Sequence, residues 1–193
     1  AVEADRQLDL QQALHTYGDI SLNAGGAIFE AGPADSTVDL VTDSISIVSG
    51  KGISGVDTAF NTVASLNNAS GNVDLTDIDS IGEPAPGLII ISLTNTSGSV
   101  TVNVPGDLDV YQLVAQGNAS DVVLNSGGIF NLLPVSGVPN TVTAGRSLNL
   151  HATGTLYLNS GFTAPQSVSF TSDADVKVSG TTFTLSTVDP IVI

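Results

Sequence analysis

Three pairs of aspartates, each two positions apart, are the residues best placed by type and spacing to do chemistry. Two carboxylates on one side of a strand could serve as acid and base in glycoside hydrolysis, or supply oxygens to a calcium ion, which takes about six to eight. The pairs are Asp77/Asp79, Asp107/Asp109 and Asp173/Asp175. One pair supplies too few calcium ligands unless further pairs lie beside it. The sequence therefore favours solvated acidic surface and no cofactor, with calcium as the alternative.

The basic and nucleophilic residues give less indication of a reactive site than the aspartate pairs do. A lyase acting on acidic sugars needs several cations together, but the four here are dispersed: Arg6, Lys51, Arg146 and Lys177. The two histidines, His15 and His151, are far apart, and His151 occupies a polar strand position that favours exposure. The chain has no cysteine for a disulfide or a thiolate zinc site, and no GxSxG nucleophile elbow. We therefore expect no catalytic residues and no enzymatic activity, and we leave metal ligands unassigned.

Composition excludes two classes of partner. The 193 residues include 19 Asp and Glu against 4 Lys and Arg, a net charge of -15. Such a polyanion repels nucleic acid. The longest strongly apolar run, Gly87 to Leu93, is far shorter than the roughly 20 residues of a membrane-spanning helix.

Because the chain starts with AVEA rather than Met, we expect a processed or excised piece.

The elements that must position these residues are short strands. From Gly18 onward apolar and polar residues alternate in brief blocks, such as SVTVNV, DVVLN, SLNLHA and TLYLN, separated by Gly, Asn and Ser. Alternation of this kind buries one face and exposes the other. It predicts that four leucines point inward: Leu148, Leu150, Leu156 and Leu158. It predicts that their neighbours point outward or into turns: Asn149, His151, Tyr157 and Asn159.

Internal repetition separates a solenoid from a β-sandwich. The segment DISLNAGGAIF, Asp19 to Phe29, matches DVVLNSGGIFN, Asp121 to Asn131, and YLNSGF repeats the end of this unit. Repeated units of this kind stack to bury their apolar faces. We predict an all-β fold, a single-stranded parallel β-helix. Asn23, Asn125 and Asn159 should then occupy equivalent corners of different coils.

The start of the chain differs from the rest. Leu10, Ala13, Leu14 and Tyr17 have helical spacing, and Gly18 supplies a stop. We predict a short N-terminal capping helix within a cap segment, residues 1–17, followed by one β-helix domain, residues 18–193. RQLDLQ also alternates, which leaves a strand as the alternative. Gly55 to Ser70 reads as irregular.

The repeats resemble a known family. AGRSLNLHATGTLYLNSG, Ala144 to Gly161, resembles the repeat of filamentous-haemagglutinin-like exoproteins and large autotransporter adhesins, whose coils often read AGxxLxLxAxGxLxLxxxG. GDISLNAGGAI resembles it too, and weaker matches extend over most of Gly18 to Ser186. The resemblance implies a right-handed β-helix passenger, secreted across an outer membrane and displayed on the bacterial cell surface. The uneven coil period leaves room for a tip, cap or filament subunit instead of a regular shaft.

Two hypotheses for the function of the chain are consistent with these sequence features. The first is a secreted or surface-displayed structural or adhesive protein whose partners are copies of itself or matrix glycans or proteins. The alternative is a carbohydrate-binding or carbohydrate-active domain on the same scaffold. An aromatic content of 5% with no tryptophan argues against the alternative, since sugar sites commonly stack on exposed Tyr or Trp. The alternating, apolar segment from Ser179 to Ile193 predicts an uncapped end that either pairs with another subunit or marks where a longer passenger was cut. The alternative is a monomer whose last strand folds back over its own final coil.

Asparagine and threonine motifs receive no function. Three N-x-[ST] sequons occur at Asn68, Asn95 and Asn118, as expected by chance in a chain rich in Asn and Ser. The TxT pairs lack a common coil period, which argues against a flat threonine array of the ice-binding kind. Cross-strand packing accounts for those threonines.

Overall fold

The computed structural model is an all-β solenoid of about seven turns, built from parallel strands. It describes residues 1–30, 37–78, 87–137 and 140–179. The predicted solenoid fold is confirmed. In the described ranges no residue is helical, so the predicted N-terminal capping helix is wrong.

Each turn of the solenoid has three sides, which we call A, B and C in the order the chain follows them. Two long strands, β6 (Leu40–Ser49) and β7 (Ile53–Asn68), bend around corners and contribute to more than one side. Side A contains β1 (Val2–Ala4), β4 (Asp19–Ala24), β10 (Leu93–Asn95), β13 (Leu113–Ala115), β16 (Asn140–Ala144) and β19 (Gly161–Thr163). Side B contains β2 (Leu8–Asp9), β5 (Ile28–Phe29), β8 (Val73–Asp77), β11 (Val100–Val104), β14 (Val122–Ser126), β17 (Ser147–Ala152) and β20 (Ser167–Ser172). Side C contains β3 (Leu14–His15), β9 (Leu88–Ile90), β12 (Leu108–Val110), β15 (Phe130–Leu132), β18 (Leu156–Leu158) and β21 (Val176–Val178).

The core is a continuous apolar column inside the three sides. Inward residues of successive coils stack in register, as Val122 on Leu148 and Phe130 on Leu156. All four predicted inward leucines are buried, which confirms the strand register over Ser147–Leu158. Their predicted outward neighbours Asn149, His151, Tyr157 and Asn159 are half-buried or exposed.

Glycine is needed where coils approach most closely. At the corner between sides A and B, a Cβ on Gly145 would overlap the carbonyl oxygen of Gly117 in the preceding coil. Any side chain there would force the backbones apart, so the recurrent turn glycines allow the strands to keep their hydrogen bonds.

The first 17 residues form the first turn of the β-solenoid and contain no helix. Strands β1, β2 and β3 pair in parallel with β4, β5 and β6. The apolar stripe of the predicted helix is not a buried face, because Ala13 is exposed and Tyr17 is 89% exposed. The strand alternative for RQLDLQ is correct, since Leu8 lies in β2 and Leu10 is buried.

Two further expectations are wrong. Asn23 lies on side A, Asn125 on side B and Asn159 directly after β18 of side C, so they precede three different corners. The motif repeats around the coil, because each corner needs a similar turn, and it does not mark successive coils. Gly55 to Ser70 is not irregular, since most of it belongs to the 16-residue strand β7.

The length of a coil varies along the axis. Leu93 pairs with Leu113, 20 residues later, whereas Leu113 pairs with Val142, 29 residues later. The predicted uneven period is therefore present. The expectation for the C-terminal segment falls almost wholly on residues 180–193, outside the described ranges.

Candidate binding surface

The outer walls of sides B and C carry pairs of polar side chains that bond between adjacent coils. On side B, Asn125 Nδ2 donates to Asn103 Oδ1 at 2.8 Å, and Ser167 Oγ donates to Ser147 Oγ at 2.9 Å. Parallel pairing makes this possible, because it brings equivalent positions of adjacent coils to about 4.8 Å from each other. These walls are ordered polar surfaces rather than a convergent cluster of reactive groups.

The acidic pairs lie in different surroundings. Asp107 Oδ1 accepts the Ile129 N–H at 2.7 Å, and Asp109 Oδ1 accepts Asn131 Nδ2 at 2.7 Å. Asp173 and Asp175 are exposed in the corner before β21. Asp77 is buried at the end of β8, and its predicted partner Asp79 lies outside the described residues. Hydrogen bonding to the neighbouring coil is therefore the observed role of the 107/109 pair.

Histidines and cations do not converge either. His15 is exposed beside the Tyr17 ring, whereas His151 Nδ1 lies 2.9 Å from Thr171 Oγ1 on side B. Lys177 Nζ is 5.4 Å from the centre of the Tyr157 ring on side C. Arg6 and Lys51 are exposed. Within the described ranges, no three His, Asp or Glu side chains form a group that could hold a metal ion.

Arg146 and Asp121 form a clamp between adjacent coils. Arg146 Nε donates to Asp121 Oδ1 at 2.7 Å, and a second guanidinium nitrogen contacts Oδ2. The hydrogen bond from Arg146 holds the pKa of Asp121 below its ordinary value of 3.8, and the positive charge of Arg146 adds to the effect; partial burial opposes it. A lowered pKa means that the carboxylate stabilises the fold above pH 3.8 and loses this contribution as pH falls through the folded-state value.

We predict that Asp121→Asn lowers the melting temperature at pH 7 only slightly, by about 2 °C, because both side chains are partly solvated and salt screens the pair. The difference from the wild type should close as pH falls below 3.8. Asp175→Asn is the matched control, because its carboxylate lies 3.6 Å from Lys177 on the open surface. Thermal melts of the three proteins between pH 2.5 and pH 7 check this. An Asp121→Asn deficit that persists at the lowest pH would contradict the clamp.

Two of the three sequons are structural. Asn68 and Asn95 are 2% and 0% exposed inside the corner between sides A and B, and Asn68 Nδ2 donates to Asn95 Oδ1 at 2.9 Å. Both amides also bond to backbone groups of the turns around them. Asn118 is exposed. Sequence reasoning missed this pair, although the repeated NASG and NTSG that begin at the two asparagines were visible.

Comparison of the chain with protein-family models, curated proteins and solved structures gives no match. The described residues also contain no helix long and apolar enough to cross a membrane.

Proposed function

We propose that the chain is a secreted or surface-displayed structural protein with an adhesive role, as its resemblance to filamentous-haemagglutinin-like exoproteins implies. Its partners would be matrix glycans or proteins and further copies of itself. The observation that carries the proposal is the arrangement of the outer walls, where polar side chains bond in pairs between adjacent coils and build an extended polar surface.

Charge and burial support the same role. Many carboxylates are exposed on the outside, among them Glu3, Asp5, Asp19, Asp43, Asp107, Asp173 and Asp175. The buried apolar side chains form the inner column. A rigid polar scaffold of this kind can present a large contact surface without changing shape, which lowers the cost of ordering on binding.

Binding and turnover measurements on one panel of surfaces test the proposal. The fluorescently labelled chain is applied to immobilised neutral glycans, acidic glycans and matrix proteins, and the supernatants are assayed for reducing ends and unsaturated sugars. We expect saturable retention on at least one surface with no product release. Product that accumulates linearly with time would replace the proposal by an enzyme on the same scaffold. Absence of retention on every surface would also overturn it.

A further inference from the structure

A shallow groove follows the corner between sides C and A. Its lining is mainly apolar and includes Ile89, Ile91, Val135 and Tyr111. Ile91 is 48% exposed, unlike the inward residues Ile90 and Leu93 beside it. The groove therefore presents apolar surface on the outside of the solenoid.

The uneven coil length explains why a groove forms here. The corner from Val110 to Leu113 is tight, because only Tyr111 and Gln112 connect the two strands. The next coil has a longer connection between β15 and β16, and Val135 in that connection forms one wall of the groove. A short coil beside a long one leaves a recess between them.

Four of the residues that line the groove carry polar groups. Thr62, Ser92, Gln112 and Tyr111 are among the residues that line it. In the described part of the chain, none of these four side chains hydrogen-bonds to another protein group. By contrast, Asp109 and Asn131 on the adjacent wall of side C satisfy each other. Four residues with polar side chains thus line a mainly apolar groove, and within the described residues their side chains have no hydrogen-bond partner.

The chemistry of these groups matches a sugar. A pyranose ring has an apolar C–H face that packs on an aromatic ring, and hydroxyls that both donate and accept hydrogen bonds, as an amide and hydroxyl groups do. Charge selects among sugars. None of the four basic residues lines the groove, and a net charge of -15 repels anions.

We propose that this groove binds a neutral oligosaccharide. One ring packs its C–H face on Tyr111 and Ile91, and its hydroxyls bond to Gln112, Ser92 and Thr62. The inference rests on the proposed adhesive function and names its ligand class. The half-buried ring of Tyr111 is the aromatic side chain on which this sugar would pack, despite the low aromatic content of the chain.

Titrations monitored by NMR of the isotopically labelled chain test the groove. The probes are cellotetraose, mannotetraose and chitotetraose, with tetragalacturonate as the anionic comparison. We expect saturable shifts at the amides of residues 89–92 and 111–113 with at least one neutral probe, and none with tetragalacturonate. Tyr111→Ala should weaken binding about tenfold or more, and Gln112→Ala by a smaller factor. Tyr157→Ala, which removes another partly exposed tyrosine on side C, is the matched control.

Several outcomes would overturn the inference: no shift with any neutral probe, shifts that map elsewhere, or equal sensitivity to Tyr157→Ala. Tyr111→Phe guards against misfolding, because it keeps the ring and should retain most of the binding. The surface-retention panel separates the two proposals. If Tyr111→Ala is retained on the same surfaces as the wild type, the groove is not the adhesive site and the adhesive function stands. If the wild type is retained nowhere, the adhesive function fails independently of the titration.

Discussion

Leu156→Asp is expected to unfold the C-terminal coils of the solenoid. Leu156 has no exposed surface and stacks between Phe130 and Val176 in the neighbouring coils. An aspartate there buries a charge among apolar side chains without a partner, and we expect a loss of about 4 kcal/mol or more in unfolding free energy. Urea denaturation followed by circular dichroism measures the loss.

The extent of unfolding is a second readout. A solenoid coil contacts only its neighbours, so hydrogen exchange should show lost protection over residues 147–178 and retained protection over 93–115. Asn149→Asp is the control, because it adds the same charge at an outward, exposed position of β17. If the two variants were equally stable, the inward register of β18 would be wrong.

Strand blocks were predictable because side chains of a β-strand alternate between core and solvent. Leu148 and Leu150 follow this rule within β17, and the rule holds again for Leu156 and Leu158 in β18. Between the two strands the chain turns a corner at Thr153 and Gly154, and the alternation restarts. Sequence analysis could therefore identify most strands, because each one carries its own pattern.

The corners between strands also explain the two wrong predictions of secondary structure, the irregular segment and the N-terminal helix. In β7 the buried residues Ile53, Val56 and Thr58 are spaced by three and then two, because a register shift lies between Ile53 and Val56. A period of two breaks at each such point, so a continuous strand reads as an irregular segment. The apparent helix of the first coil arose in a similar way. Leu10 and Leu14 are four apart because a corner separates β2 from β3, which imitates a helical repeat.

The groove was not predictable from local patterns. Thr62, Ile91, Tyr111 and Val135 belong to four successive coils, and only the stacking of those coils brings them together. The recess between these residues depends on the difference in length between adjacent coils. The sequence shows this difference as uneven spacing of the strands, but it does not show which corners lie beside each other. The pairs of polar side chains on the outer walls could not be predicted for the same reason, because only the stacking of coils brings Asn103 beside Asn125.

The second large effect is expected at the buried asparagine pair. The Asn95 amide donates to the carbonyl oxygens of Gly71 at 3.0 Å and Gly98 at 2.9 Å, and its own oxygen accepts from Asn68. Asn95→Asp keeps the shape but places a carboxylate oxygen against those two carbonyls and buries a charge. We expect a loss of about 3 kcal/mol or more in unfolding free energy at pH 7, measured by urea denaturation.

Asn67→Asp is the matched control, because it makes the same change one residue from Asn68 at an exposed position of β7 and should cost little. Burial favours the neutral acid, so the deficit of Asn95→Asp relative to Asn95→Ala should shrink on acidification. Asn95→Ala leaves the carbonyl oxygens of Gly71 and Gly98 without their amide donor, and it should also be destabilised at every pH. A pH-independent difference between the aspartate and alanine variants, or equal stability of Asn95→Asp and Asn67→Asp, would show that the Asn95 amide does not hold the two turns together.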